Sequence, residues 1–177
     1  MLPLLCALSL AAAPLFAQDL ATSKPQAVAP YKAAAGIRVT TGIPAGTLAE
    51  LRLKYFVKPE SALELQVGQL GFRESFQTSL HYIWQPQLVS SSRLRPYAGI
   101  GVGLTGTNRN IYGEKQSLQT NLVGIATIGI EYTFPKAPFS LSLDYRNAFV
   151  GYKMDSFRDT PLRRMNNVGL SVKYLIR

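Results

Sequence analysis

The chain has 177 residues, 47% of them apolar, and a formal charge of +9. That length holds one domain, and the apolar content excludes a disordered chain. Eleven prolines and fourteen glycines in short clusters favour strands and turns over helices.

Residues 1–17 are rich in Leu and Ala and carry no charge, ending Pro-Leu-Phe-Ala before Gln18. They predict a secretory signal peptide cleaved near Ala17. Cys6, the one cysteine, lies within it. The mature chain is therefore expected to hold no disulfide, no Cys–His metal site and no thiol nucleophile. Residues 18–33, with Pro25 and Pro30, read as a tether. No helix is expected to span a membrane. The most plausible stretch for a span, 116–130, is charge-free for only fifteen residues and is interrupted by Gln, Thr, Asn and Gly.

Residues 34–177 predict eight strands, at about 34–42, 48–57, 61–71, 73–84, 95–105, 119–134, 138–149 and 165–176. Each alternates an apolar with a polar or small residue, the period-two signature of a strand with two different faces. The apolar face carries Ile37, Val39, Leu51, Leu53, Leu63, Leu65, Leu80, Ile100, Val102, Ile128, Ile130, Leu141 and Leu143. The opposite face mixes glycines with Arg38, Glu50, Arg52, Lys54, Glu64, Ser79, His81, Glu131, Asp144, Arg146 and Lys173.

Alternation does not say which face points inward. A soluble barrel buries the apolar face, and a membrane barrel turns it outward. Three features favour the membrane version. The polar face is glycine-rich, as a narrow interior requires. Its charges are of both signs and so able to pair. Aromatic residues Tyr55, Tyr82, Trp84, Tyr132, Phe134, Phe139 and Tyr174 gather at one level of the apolar face. That level adjoins the turns at 58–61 and 135–138, whereas the longest connections, 106–118 and 150–164, lie at the other end. Short periplasmic turns, long external loops and an aromatic girdle belong together in such barrels.

The last strand adds a further pattern. From Asn167 through Gly169 and Val172 to Tyr174 it reads polar-x-Gly-x-x-apolar-x-aromatic. This resembles the C-terminal insertion signal that the barrel-assembly machinery of outer membranes recognises. With the strand pattern and loop asymmetry, residues 34–176 resemble the small eight-stranded outer-membrane barrels, the kind that includes the transmembrane domain of outer-membrane protein A. Leu175, Ile176 and Arg177 follow the terminal aromatic, whereas many relatives end on it. The resemblance implies an all-β, closed antiparallel up-and-down barrel in the bacterial outer membrane, in contact with lipid and lipopolysaccharide.

Eight strands leave a lumen just wide enough for side chains, so the inward charges read as a structural plug rather than an ion path. No cofactor and no metal-ligand spacing is found. The expected function is non-enzymatic, monomeric and envelope-structural, or one of surface contact through external loops. The basic loop with Lys153, Arg158, Arg163 and Arg164 suits lipopolysaccharide phosphates. No basic helix accompanies the charge, so nucleic acid is not an expected partner. Two alternatives stand. One is a secreted soluble barrel binding a small apolar ligand. The other is a lipid-modifying enzyme using His81 with Ser79 and either Asp144 or Glu131.

Overall fold

The computed structural model describes residues 26–42, 46–69, 75–88, 91–107, 110–111, 114–115, 119–153 and 166–176. The expected signal peptide, most of the tether, the turn at 71–73 and the basic residues Arg158, Arg163 and Arg164 lie outside them. The strands are β1 Ala33–Gly42, β2 Gly46–Lys58, β3 Ser61–Gln69, β4 Ser75–Trp84, β5 Leu94–Thr107, β6 Asn110–Ile111, β7 Glu114–Lys115, β8 Gln119–Thr133, β9 Phe139–Lys153 and β10 Asn167–Ile176.

Eight long strands close into one antiparallel barrel, in chain order around the ring, with β10 pairing back onto β1. The two-stranded sheet β6–β7 lies within the connection from β5 to β8. Closure pairs every long strand on both sides and leaves no open sheet edge, the condition for crossing hydrocarbon with strands.

The register decides the faces. Ala35 stands opposite Tyr174 on one side and Leu53 on the other, while the next residue, Gly36, stands opposite Lys173 and Arg52. The same parity runs round the ring, and β10 alternates buried and exposed along its whole length. Arg38, Arg52, Lys54, Glu64, Glu131, Arg146 and Lys173 are buried inside. Leu51, Ile100 and Ile128 are 60% exposed or more on the outside. A soluble barrel holding an apolar ligand requires the reverse, so that alternative is overturned. A belt of uncovered Leu, Ile and Val around a charged interior is stable against acyl chains, not against water.

One expectation needs correction. The seventh long strand was predicted to end at 149, but β9 runs to Lys153. Its register passes from Ala148↔Ile125 to Val150↔Gly124, which leaves Phe149 as an extra residue in a β-bulge. Phe149 and Val150 are both exposed. The period-two signal therefore breaks there, although the ladder does not.

The tether was predicted to extend through residue 33. In the structure β1 begins at Ala33, and Lys32 before it already bonds to both neighbouring strands. The Lys32 amide donates to the Ile176 carbonyl at 3.2 Å, and the Phe56 amide donates to the Lys32 carbonyl at 2.9 Å. Tyr31 turns into the lumen and is buried.

There Tyr31 joins Ala34, Phe56, Ala62, Ile83, Tyr97 and Leu175 in an apolar cluster. This cluster fills the mouth at the short-turn end, with Tyr31 and Phe56 edge to face at 5.0 Å between ring centres. A smaller cluster of Val123, Ile125 and Ala148 lies toward the other end. The charged residues occupy the space between them.

Candidate functional site

The inward charges form two groups. The larger is a chain of alternating sign. Arg146 donates to Glu50 at 2.7 Å, and Glu50 also meets Arg38 at 3.4 Å. Arg38 Nε donates to Asp144 Oδ1 at 2.7 Å. Asp144 Oδ2 accepts from Arg52 at 2.6 Å, and Arg52 closes on Glu64. Gln66 donates to Glu64, and Ser171 Oγ accepts from Arg52 at 2.6 Å. The chain thus joins β1, β2, β3, β9 and β10 across the lumen.

The second group centres on Glu131 of β8. Its Oε2 accepts from Lys173 at 2.7 Å and from Lys54 at 3.1 Å. Its Oε1 accepts from the Tyr31 hydroxyl at 2.6 Å. Burial, with the Glu131 carboxylate beside it, raises the Tyr31 phenol well above its usual pKa, so Tyr31 remains a protonated donor. Lys54 also donates to Gln85 Oε1 at 2.5 Å.

Tyr97 stitches the groups together. Its hydroxyl donates to Asp144 Oδ2 at 2.9 Å, and its ring lies under Lys54 at 5.1 Å and Lys173 at 6.0 Å. Glycine makes the room. A Cβ on Gly129 would meet the Tyr97 ring at 2.6 Å, and one on Gly169 would overlap the Arg38 guanidinium. Residues 38, 52, 54, 146 and 173 set five cations against the carboxylates of 50, 64, 131 and 144, and a sixth, Arg95, donates to the Val28 carbonyl and to Gln87. Ions withdrawn from water persist only when paired and hydrogen-bonded, and here nearly neutral pairing fills the lumen.

His81 is buried, and its Nε2 lies 2.9 Å from Ser79 Oγ. Ser79 donates onward to Gln66 Oε1 at 3.3 Å. Among the described residues the His81 Nδ1 has no hydrogen-bond partner. Asp144 and Glu131, the acids considered as its third member, are committed to the cations above. A serine nucleophile needs an oriented base and access to substrate. Ser79 and His81 meet, but neither reaches a surface.

The outer face carries the aromatic residues. Tyr55, Tyr82, Trp84, Phe134, Phe139 and Tyr174 are exposed there, with Tyr132 half-buried. They flank the short-turn end. Tyr55 and Tyr82 share a level through Leu63, and Phe139 stands opposite Tyr174. The rings of Tyr132 and Phe134, and of Phe139 and Tyr174, meet edge to face at 5.1 and 5.6 Å. In β10, Asn167 and Gly169 face the lumen, while Val172 and Tyr174 face outward.

Sequence reasoning did not single out Tyr97 or Tyr31. Tyr97 shares the inward parity of Arg95 and Gly99, so the alternation itself held the signal. Tyr31 precedes any alternating run and offered none.

The fold and its filled, charged lumen define a class: the small eight-stranded transmembrane β-barrel, an architecture of bacterial outer-membrane proteins. No protein-family profile matches the chain, and no curated protein sequence does. Among solved structures, the chain is similar to the N-terminal β-barrel domain of Pseudomonas aeruginosa OprF. The TM-score is 0.59 at 20% identity, covering 80% of this chain and 95% of that one. It is also similar to Neisserial surface protein A (NspA), with a TM-score of 0.54 at 13% identity, covering 81% of this chain and 94% of that one. At these identities the likeness is one of fold.

Proposed function

We propose that this chain is an integral, monomeric outer-membrane barrel with a non-enzymatic role in envelope structure or surface contact. The single observation that supports it is the inversion of faces. Large apolar side chains ring the exterior, while ion pairs and an apolar stopper fill the interior. A filled lumen suits an anchor and scaffold rather than a diffusion pore.

In this reading the short turns face the periplasm and the connections from β5 to β8 and from β9 to β10 face outward. The outward loops then carry the contact function, and lipopolysaccharide phosphates are the proposed partner of Arg158, Arg163 and Arg164. Replacing these three with Gln tests that contact, and unchanged lipopolysaccharide retention removes it. The stretch from Asn167 to Tyr174 is proposed as the segment that the assembly machinery reads.

The test of the whole reading is extraction and migration. The protein is expected to leave cells only with detergent and to shift in gel mobility on boiling, because a closed barrel resists unheated detergent. Release into buffer without detergent, or mobility indifferent to boiling, overturns it. A planar-bilayer recording is expected to show no steady conductance.

A further inference from the structure

Resting on the outer-membrane reading above, we propose that the outer face of β1–β3 holds an anionic glycerophospholipid of the periplasmic leaflet. One acyl chain lies in a groove there, and the phosphate sits between Lys32 and Lys58.

The groove has a volume of about 280 Å³ and crosses the outer faces of β1 to β4 in the short-turn half of the barrel. Its floor is low because β1 presents Ala33 and Ala35 outward, where neighbouring strands present larger side chains. Leu53, Tyr55, Leu65 and Ile176 form its sides. Farther along β1 the outward residues become Ile37 and Val39, which raise the floor. The groove therefore occupies the half of the wall that adjoins the short turns. Its lining suits a hydrocarbon chain.

Charge supplies the second argument. Lys32 immediately precedes Ala33 and is exposed, and its carbonyl accepts from Phe56. Two residues beyond Phe56, Lys58 is exposed at the end of β2. Tyr55, also exposed, stands opposite Ala33 on the neighbouring strand. Around this rim the exposed charges among the described residues are Lys32, Lys58, Arg93 and Lys136, all positive. Glu60 is half-buried, and its carboxylate accepts from the Gln87 amide. Cations beside a lipid surface favour anionic headgroups, about fivefold for each at physiological salt. Of these cations, Lys32 adjoins the floor residue Ala33 in the chain, and Lys58 lies three residues beyond Tyr55, which lines the groove.

The experiment uses the full chain refolded into phosphatidylcholine vesicles that contain a minority of phosphatidylglycerol. Native mass spectrometry reads the lipid retained on release, and a boiling shift reads insertion separately. The wild type is expected to retain phosphatidylglycerol in preference to phosphatidylcholine. Lys32→Gln with Lys58→Gln is expected to lower that preference by about tenfold or more. Ala35→Leu, which fills the groove, is expected to lower retention of both lipids. Lys136→Gln, at the turn between β8 and β9, is expected to change neither. Equal retention of the two lipids by the wild type, or unchanged retention in both groove variants, overturns the site while the boiling shift persists. Loss of the boiling shift in the wild type overturns the outer-membrane reading and the site with it.

Discussion

Glu131→Gln tests whether the lumen is held by pairing or merely filled. Among the described residues, Glu131 is the one carboxylate within ion-pair distance of Lys54 and Lys173. The amide keeps the shape and still accepts from Tyr31, but it removes the charge. Lys54 retains Gln85 and the Tyr97 ring, whereas among the described residues Lys173 retains only that ring, at 6.0 Å. One buried cation is then stranded, which costs about 3–5 kcal/mol. That is a large part of the 5–15 kcal/mol or so that stabilises a typical domain. Adding Lys173→Met removes the stranded charge at similar length, and the double variant is expected to recover about 1–3 kcal/mol through the coupling of the two sites. Urea titration in detergent micelles measures both, with Trp84 as the single, outward-facing fluorophore. A loss under about 1 kcal/mol for Glu131→Gln, or no recovery in the double variant, refutes the pairing argument.

Other consequences follow from the same geometry. Ile128→Arg, in the middle of the apolar belt, is expected to cost about 2–4 kcal/mol, whereas Val57→Arg at the rim costs about 0–1 kcal/mol. The same titration checks this, and equal penalties contradict the face assignment. Gly169→Ala drives a methyl group into Arg38 and is expected to cost about 1–3 kcal/mol through overpacking. It also displaces Arg38 from Asp144, so a crystal structure of the variant should show that pair broken. Tyr31→Phe removes a hydrogen bond to a buried carboxylate and is expected to cost about 1–3 kcal/mol. Tyr31→Ala also empties the mouth and is expected to cost about 3–5 kcal/mol, both read as the temperature of the mobility shift on gels.

Much of this architecture was legible residue by residue. Strand positions followed from period two, because a barrel wall exposes its two faces to opposite media over its whole circumference. Parity alone put Arg38, Arg52, Lys54, Glu64, Glu131, Asp144, Arg146 and Lys173 on one side. Where a second principle intervened, parity went silent. The bulge at Phe149 places two apolar residues outward in succession, so the strand appeared to stop four residues early. Tyr31 belongs to no alternating run, and its place is set by the hole that Phe56, Ile83 and Leu175 leave at the mouth.

Local chemistry, written along the chain, thus settled the number of long strands that build the wall, their amphipathic character and the composition of each face, but not the two-residue strands β6 and β7 in the connection from β5 to β8. It did not settle pairing. Whether Asp144 meets Arg38, Arg52 or a histidine depends on the stagger of strands distant in sequence, and that stagger is a property of the closed ring. Closure brings Arg38 within 2.7 Å of Asp144, 106 residues away, and so commits that carboxylate to a salt-bridge chain rather than to His81.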